Sequence, residues 1–394
     1  MSTVRARVWR FTVERGKTGA EAVQAVEIGQ GPLPVSLAAV VNINALACDL
    51  RKTVDQRVRD HEISLLLSYV IGDQGKKPLG VEHLALDSSA GHIKRFVSEC
   101  TGLGVMTAAS EFLFDWKPGA GGLSSFDVLP GKLRGVYAKT GVRPDLLYDL
   151  AAGPVAGEAR GRRRDAQQMF PPGEGTPDQR KRLEKLARWS VAHGDHDYFM
   201  SWVWLGAGGV YVDIFLPEGS AALTGLKTAW IEEPGDATPW RFHVPRLVSR
   251  SDPGPDPDPG PGQSLKITHH VPSTSAEGPP ARVAISRVGP AAEEAMDRAF
   301  SREEQTLGTF AGVQVRGRWI RGDALGEARH EVLLGVLGER VETNRRRAQR
   351  LQLPTLAGDH LDMFLDGRLL TVVRLADGPR PEWGRIREEL LAQV

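Results

Sequence analysis

The chain is poor in cysteine, with only Cys48 and Cys100 in 394 residues. Two isolated thiols cannot build a disulfide framework or a cysteine-ligated zinc site, so a reducing cytoplasm is the expected compartment. Charge of one sign is not in excess either. Fifty Lys and Arg against 49 Asp and Glu leave a net +1, which excludes a chain-wide attraction to nucleic acid, so any basic surface must be local. Long hydrophobic runs are missing as well. The longest uncharged stretch, 28–48, contains Pro32, Pro34, Asn42 and Asn44, which breaks up a membrane span. The opening "MSTVRARVWRF" lacks the apolar core of a signal peptide. There is no Walker lysine loop, no Gly-x-Gly-x-x-Gly and no Gly-x-Ser-x-Gly, so nucleotide-fold and serine-hydrolase readings drop out.

What remains is a soluble globular composition, 41% hydrophobic and 25% charged, long enough for two or three domains. Alternation predicts strands in "VRARVWRFTVE" and "EAVQAVEIG". Helical spacing over 54–71 places Val58, Ile63, Leu66 and Leu67 on a core face. Helices are expected through "HIKRFVSEC", capped by Ser88 or Ser89, through "GVMTAASEFLFDW", and over 130–141. Residues 177–193 open on a proline and carry Leu183, Leu186, Ala187, Ser190 and Val191 on one face. "YFMSWVWL" at 198–205 reads as a strand buried on both faces, followed by a turn at 206–209 and the strand "VYVDIFLP". The Pro-, Gly- and Asp-rich 251–264 reads as a solvated linker. Beyond it, the sequence predicts a strand at "FAGVQVRGRWI", a long helical region from "GEARHEVLLGVLGERV" to "NRRRAQRL", a hairpin turning at Asp366-Gly367, and a closing helix in "PEWGRIREELLAQ". The expected organisation is an N-terminal α+β region at 1–90, a core at 91–220, a connector at 221–264 and a C-terminal α+β domain at 265–394.

The segment "GVRPDLLYDLAAGPVAGEARGR" carries the chemistry. With 150–153 as a loop, Asp149 faces Pro154, Leu147 faces Ala156, and Asp145 faces Glu158. Two opposed carboxylates repel unless a cation lies between them, and a hard divalent ion such as Mg²⁺ or Mn²⁺ is the natural one. The plainer alternative is that both are solvated strand residues pairing with Arg143 and Arg160. Residues 160–192 hold nine Lys or Arg against four acids, a local excess that suits a phosphate backbone. "HGDHDYF" at 193–199 sits at a helix end, where such residues cap and turn.

"RPDLLYD…GEARGR" resembles the active-site hairpin of the PD-(D/E)XK, restriction-endonuclease-like nucleases. Pro144-Asp145 matches the first motif and Glu158-Ala159-Arg160 the second, with a helix and a core strand following in the family's order. The resemblance implies an α/β fold, a mixed sheet flanked by helices with a restriction-endonuclease-like core. It implies Mg²⁺-dependent hydrolysis of DNA in a bacterial restriction or defence role, with a partner protein and homo-oligomerisation left open. Asp145 and Glu158 would then ligate the metal, Glu111 would add a third carboxylate, and Arg160 would stabilise the transition state. Arg162, Arg163, Arg164, Gln168, Arg180 and Lys181 would hold the nucleic acid. The family's lysine is an arginine here. Arginine stays protonated and cannot act as a base, so the alternative is an inactive nuclease-fold module that binds nucleic acid or a partner protein.

Overall fold

The computed structural model describes residues 2–15, 21–49, 56–72, 79–114, 116, 123–126, 142–151, 153–164, 176–226, 305–322, 329–339 and 361–393. The expected helix at 130–141, the linker at 251–264, Gln168 and the arginine run at 344–350 lie outside them. The protein is mixed α/β. One sheet has seven strands: β1 (Ser2–Arg15), β2 (Glu21–Val35), β5 (Leu123–Ser125), β6 (Leu146–Leu150), β7 (Gly153–Arg163), β8 (Tyr198–Gly206) and β9 (Gly209–Pro217), in the order β2-β1-β9-β8-β7-β6-β5. A short ribbon pairs β3 (Val70–Ile71) with β4 (Gly80–Val81). The second large sheet, wholly antiparallel, runs β10-β11-β12-β14-β13. Its strands are Gln305–Phe310 (β10), Val313–Arg321 (β11), His330–Leu337 (β12), Asp362–Asp366 (β13) and Leu369–Leu375 (β14).

Seven helices cover these sheets among the described residues: α1 (Leu37–Asp49), α2 (Gln56–Tyr69), α3 (His83–Ser88), α4 (Gly91–Phe114), α5 (Pro177–Ala192), α6 (Ala221–Thr224) and α7 (Trp383–Gln393). The cores show how they are layered. Val40, Leu66 and Val105 from α1, α2 and α4 share one apolar cluster with Val203 of the large sheet and with Val332 and Val373 of the smaller one. Leu183, Leu186 and Trp189 of α5 cover the opposite face of the seven-stranded sheet. Ile386 and Leu390 of α7 cover the outer face of the five-stranded sheet. The expected boundary at residue 90 does not divide the sheet, because β1 pairs parallel with β9 and antiparallel with β2.

Several expectations change. "HEVLLGVL" forms β12, buried along its whole length, where a helix was expected. A continuous apolar run of this length fits either state, and burial on both faces selects the strand. The two helices expected between 92 and 116 are one, α4, which passes through Gly102 and Gly104 because those glycines admit the backbone at Gly161 and the side chain of Val40. Ser89 ends α3 and does not start α4. Val58 is 52% exposed, while Ile63, Leu66 and Leu67 are buried as expected. "FAGVQVRGRWI" holds the expected strand in its larger part, β11 from Val313 onward, and its first residues close β10 and turn the chain, with Ala311 and Gly312 both at positive φ.

Candidate functional site

The site is built on five elements, in chain order among the described residues. β5, β6 and β7 form an antiparallel meander, and α5 then carries the chain across to β8, which lies parallel to β7. α5 starts where the sequence says it should. Thr176 accepts from the Gln179 amide and Gln179 Oε1 accepts from the Thr176 amide at 2.6 Å, a reciprocal cap with Pro177 just inside. The hairpin register pairs Leu147 with Ala156 and Asp149 with Pro154, as the alternation predicts.

The two carboxylates do not face each other in the expected way. Asp145 stands one residue before β6, outside its alternation, and its Oδ2 accepts the Ala159 amide at 2.7 Å. The side chain thereby continues the hairpin ladder where backbone pairing stops. It also lines a cleft of about 230 Å³ together with Asn44 of α1, Glu62 and Leu66 of α2, and Phe96, Glu99 and Leu103 of α4. Glu158 does not line that cleft and is 0% exposed. Its Oε1 accepts from Arg182 Nε at 2.7 Å, also pairs with Arg182 Nη2, and lies 2.5 Å from Arg160 Nη2. Arg160 alone touches both places, lining the cleft and holding Glu158. The repulsion that suggested a bound ion is therefore countered by two guanidinium groups.

Burial still dominates the proton affinity of Glu158. Removal from water, with a smaller contribution from the nearby Asp145, outweighs the two arginines and pushes its carboxyl up to about 8. Oε2 of Glu158 is buried with no hydrogen-bond partner. For a hard divalent ion the fit is partial: Oε2 of Glu158 has no hydrogen-bond partner, but Oε1 is already shared between two cations and Asp145 Oδ2 accepts the Ala159 amide. Among the described residues no group of three or more His, Cys, Asp or Glu side chains is gathered to hold a metal.

Glu111 is not the helix carboxylate at this cleft. It lies five residues beyond Met106, which packs at Gly157, and the acids that do line the cleft are Glu99 and Glu62. Arg182 was missed as a site residue. It could have been read from the α5 pattern, since 179, 182, 183 and 186 form one strip and an arginine there reaches the sheet.

The basic residues divide between the faces of β7. Arg163 pairs with Asp87 of α3, on the side away from α5. Arg162 and Arg164 lie on the α5 side, with guanidinium carbons 5.4 Å and 5.9 Å from the ring centres of Trp202 and Trp204. Arg180 and Lys181 are exposed on α5. Beneath them Asp213, 2% exposed, accepts from Arg7 Nε at 2.8 Å, Trp9 Nε1 at 3.0 Å, Gln179 Nε2 at 3.2 Å and Trp204 Nε1 at 2.9 Å. It ties α5 to three strands of the sheet. The "HGDHDYF" segment turns the chain. His193 Nδ1 lies 2.6 Å from the Trp189 carbonyl, Gly194 and Asp195 take positive φ, and Asp197 Oδ1 accepts the Ala221 amide.

The chain matches no protein-family model, no curated protein and no solved structure with which it was compared.

Proposed function

We propose that residues 91–206 form a nuclease-like module that binds a nucleic-acid backbone, DNA in the first instance, without hydrolysing it. The observation that carries this is the Arg160–Glu158–Arg182 cluster. Two fixed positive charges meet one buried carboxyl group that burial keeps protonated up to about pH 8, so that even with Asp145 nearby the centre is net positive where the nuclease resemblance would put an open metal ligand. Arg162, Arg180 and Lys181 extend that charge outward. The succession α4-β5-β6-β7-α5-β8, with β8 parallel to β7, supports the nuclease-like part of the reading. A specific observation favours a second reading, Mg²⁺-dependent phosphodiester hydrolysis. Oε2 of Glu158 is unpartnered and Asp145 is close enough to raise its proton affinity.

One experiment separates them. Labelled DNA is titrated with protein at two salt concentrations, with and without EDTA, and plasmid is incubated with protein in Mg²⁺ or Mn²⁺. The binding reading expects salt-dependent, EDTA-insensitive association that weakens in Arg162→Ala, and intact plasmid. Plasmid cut by the parent and spared by Asp145→Ala would establish hydrolysis instead. No association under any condition removes nucleic acid as the ligand.

A further inference from the structure

On the α5 side of the large sheet, arginines and tryptophans stand in register. Arg160 and Arg162 of β7 pair with Trp202 and Trp204 of β8, Trp204 pairs with Tyr211 of β9, and Tyr211 pairs with Arg5 of β1. Arg162, Trp204, Tyr211 and Arg5 thus make one transverse row over four strands, spaced about 4.8 Å apart as hydrogen-bonded strands are.

The components of this row differ in what they leave open. Arg5 and Arg162 are exposed, and among the described residues Arg162 has no carboxylate partner. Trp204 is half-buried, and its ring is held at the edge by the Nε1 bond to Asp213 and at 5.9 Å by Trp202. Tyr211 is buried and bonds the Gly208 carbonyl, so it supports the row from below. The result is a rigid, half-buried indole flanked along the row by Arg162 and Arg5, with the Arg164 guanidinium carbon 5.9 Å from its ring centre as a third cation beside any base that stacks there.

We infer that this row selects single-stranded nucleic acid, with a base stacked on Trp204 and neighbouring phosphates at Arg162 and Arg5. The inference rests on the nucleic-acid reading above and narrows it. A duplex keeps its base faces inside the stack and offers a sheet surface only phosphates. A single strand can turn a base face onto an indole while its backbone meets the flanking charges. An indole pinned in place stacks with little loss of side-chain freedom.

The test is fluorescence anisotropy with a labelled thymidine strand of about 12 nucleotides and a duplex of equal length, using the full chain. The parent should bind the strand more tightly than the duplex. Trp204→Ala should weaken strand binding by roughly tenfold and leave duplex binding unchanged. Trp204→Phe, which keeps a stacking face but cannot donate to Asp213, should stay within about twofold of the parent for the strand. Equal affinity for both forms, with Trp204→Ala indistinguishable from the parent, would refute the base contact while leaving backbone binding intact. Trp204→Phe as weak as Trp204→Ala would mean that the indole acts through Asp213, and would also overturn the inference. Failure to bind either form removes the broader reading together with this one.

Discussion

Arg182 of the crossover helix donates its Nε to Oε1 of Glu158, 24 residues earlier in the chain, at 2.7 Å. That bond fixes α5 against the hairpin, and the same oxygen also lies 2.5 Å from Arg160 Nη2. Arg182→Ala should therefore destabilise the fold by about 1–3 kcal/mol, because it removes the hydrogen bond from a carboxyl group that is 0% exposed. Arg160 remains at Glu158 and keeps the loss at the low end of that range. The urea midpoint would show it, and a midpoint equal to the parent's would mean that Arg160 alone suffices.

Glu158 also makes stability depend on pH. Its ordinary carboxyl value is 4.5, and burial raises it to about 8 in the fold. Between those values the folded chain holds the proton and the unfolded chain does not. Stability must then fall as pH rises through that window. The groups setting the value are Asp145, which raises it, and Arg160 and Arg182, which lower it. Glu158→Gln carries no titrating proton and should flatten the slope of unfolding free energy between about pH 5 and about pH 8.

Gly161 admits no side chain. A Cβ there would lie within the van der Waals shell of the Ser98 carbonyl of α4, a backbone atom that cannot swing aside. Gly161→Ala should cost about 3 kcal/mol or more and lower the melting temperature by several degrees. Gly91, at the first position of the same helix, has open space around it, and Gly91→Ala should be neutral or slightly stabilising.

Asp362 ties the five-stranded sheet to the start of α1. Its carboxylate accepts from Ser36 Oγ at 2.7 Å and from the amides of Leu37 and Ala38 at 2.7 Å and 3.2 Å. A carboxylate at a helix N-terminus satisfies otherwise orphaned donors and complements the helix dipole. Asp362→Ala should lose about 1–2 kcal/mol, read by chemical denaturation, and Asp362→Asn should recover part of that loss.

The local geometry of the hairpin was legible in the sequence because strand alternation and a glycine-proline turn fix register without tertiary information. α5 was legible for a similar reason, since its cap, its proline and its apolar strip agree. The direction of the Asp145 side chain was not legible. It depends on Asp145 lying one residue outside β6, and on the Ala159 amide needing an acceptor where the ladder ends. The Glu158–Arg182 bond joins elements whose docking only the packed core determines. Likewise "HEVLLGVL" offers periodicity no way to choose, and its conversion into β12 follows from neighbours on both faces. The acid of α4 that lines the cleft is Glu99, not Glu111, because which turn of a 24-residue helix lies at the cleft depends on how the helix packs.

The parallel pairing of β1 with β9 bears on how the polypeptide is made. Arg7 pairs with Asp213, 206 positions downstream. During synthesis the β1–β2 ribbon must emerge with one long side unsatisfied and remain so until most of the core has left the ribosome. Such late closure slows folding and leaves a strand edge open to association with other nascent copies. Fragments ending before Pro217 should therefore aggregate, whereas the full chain, once zipped, hides that edge.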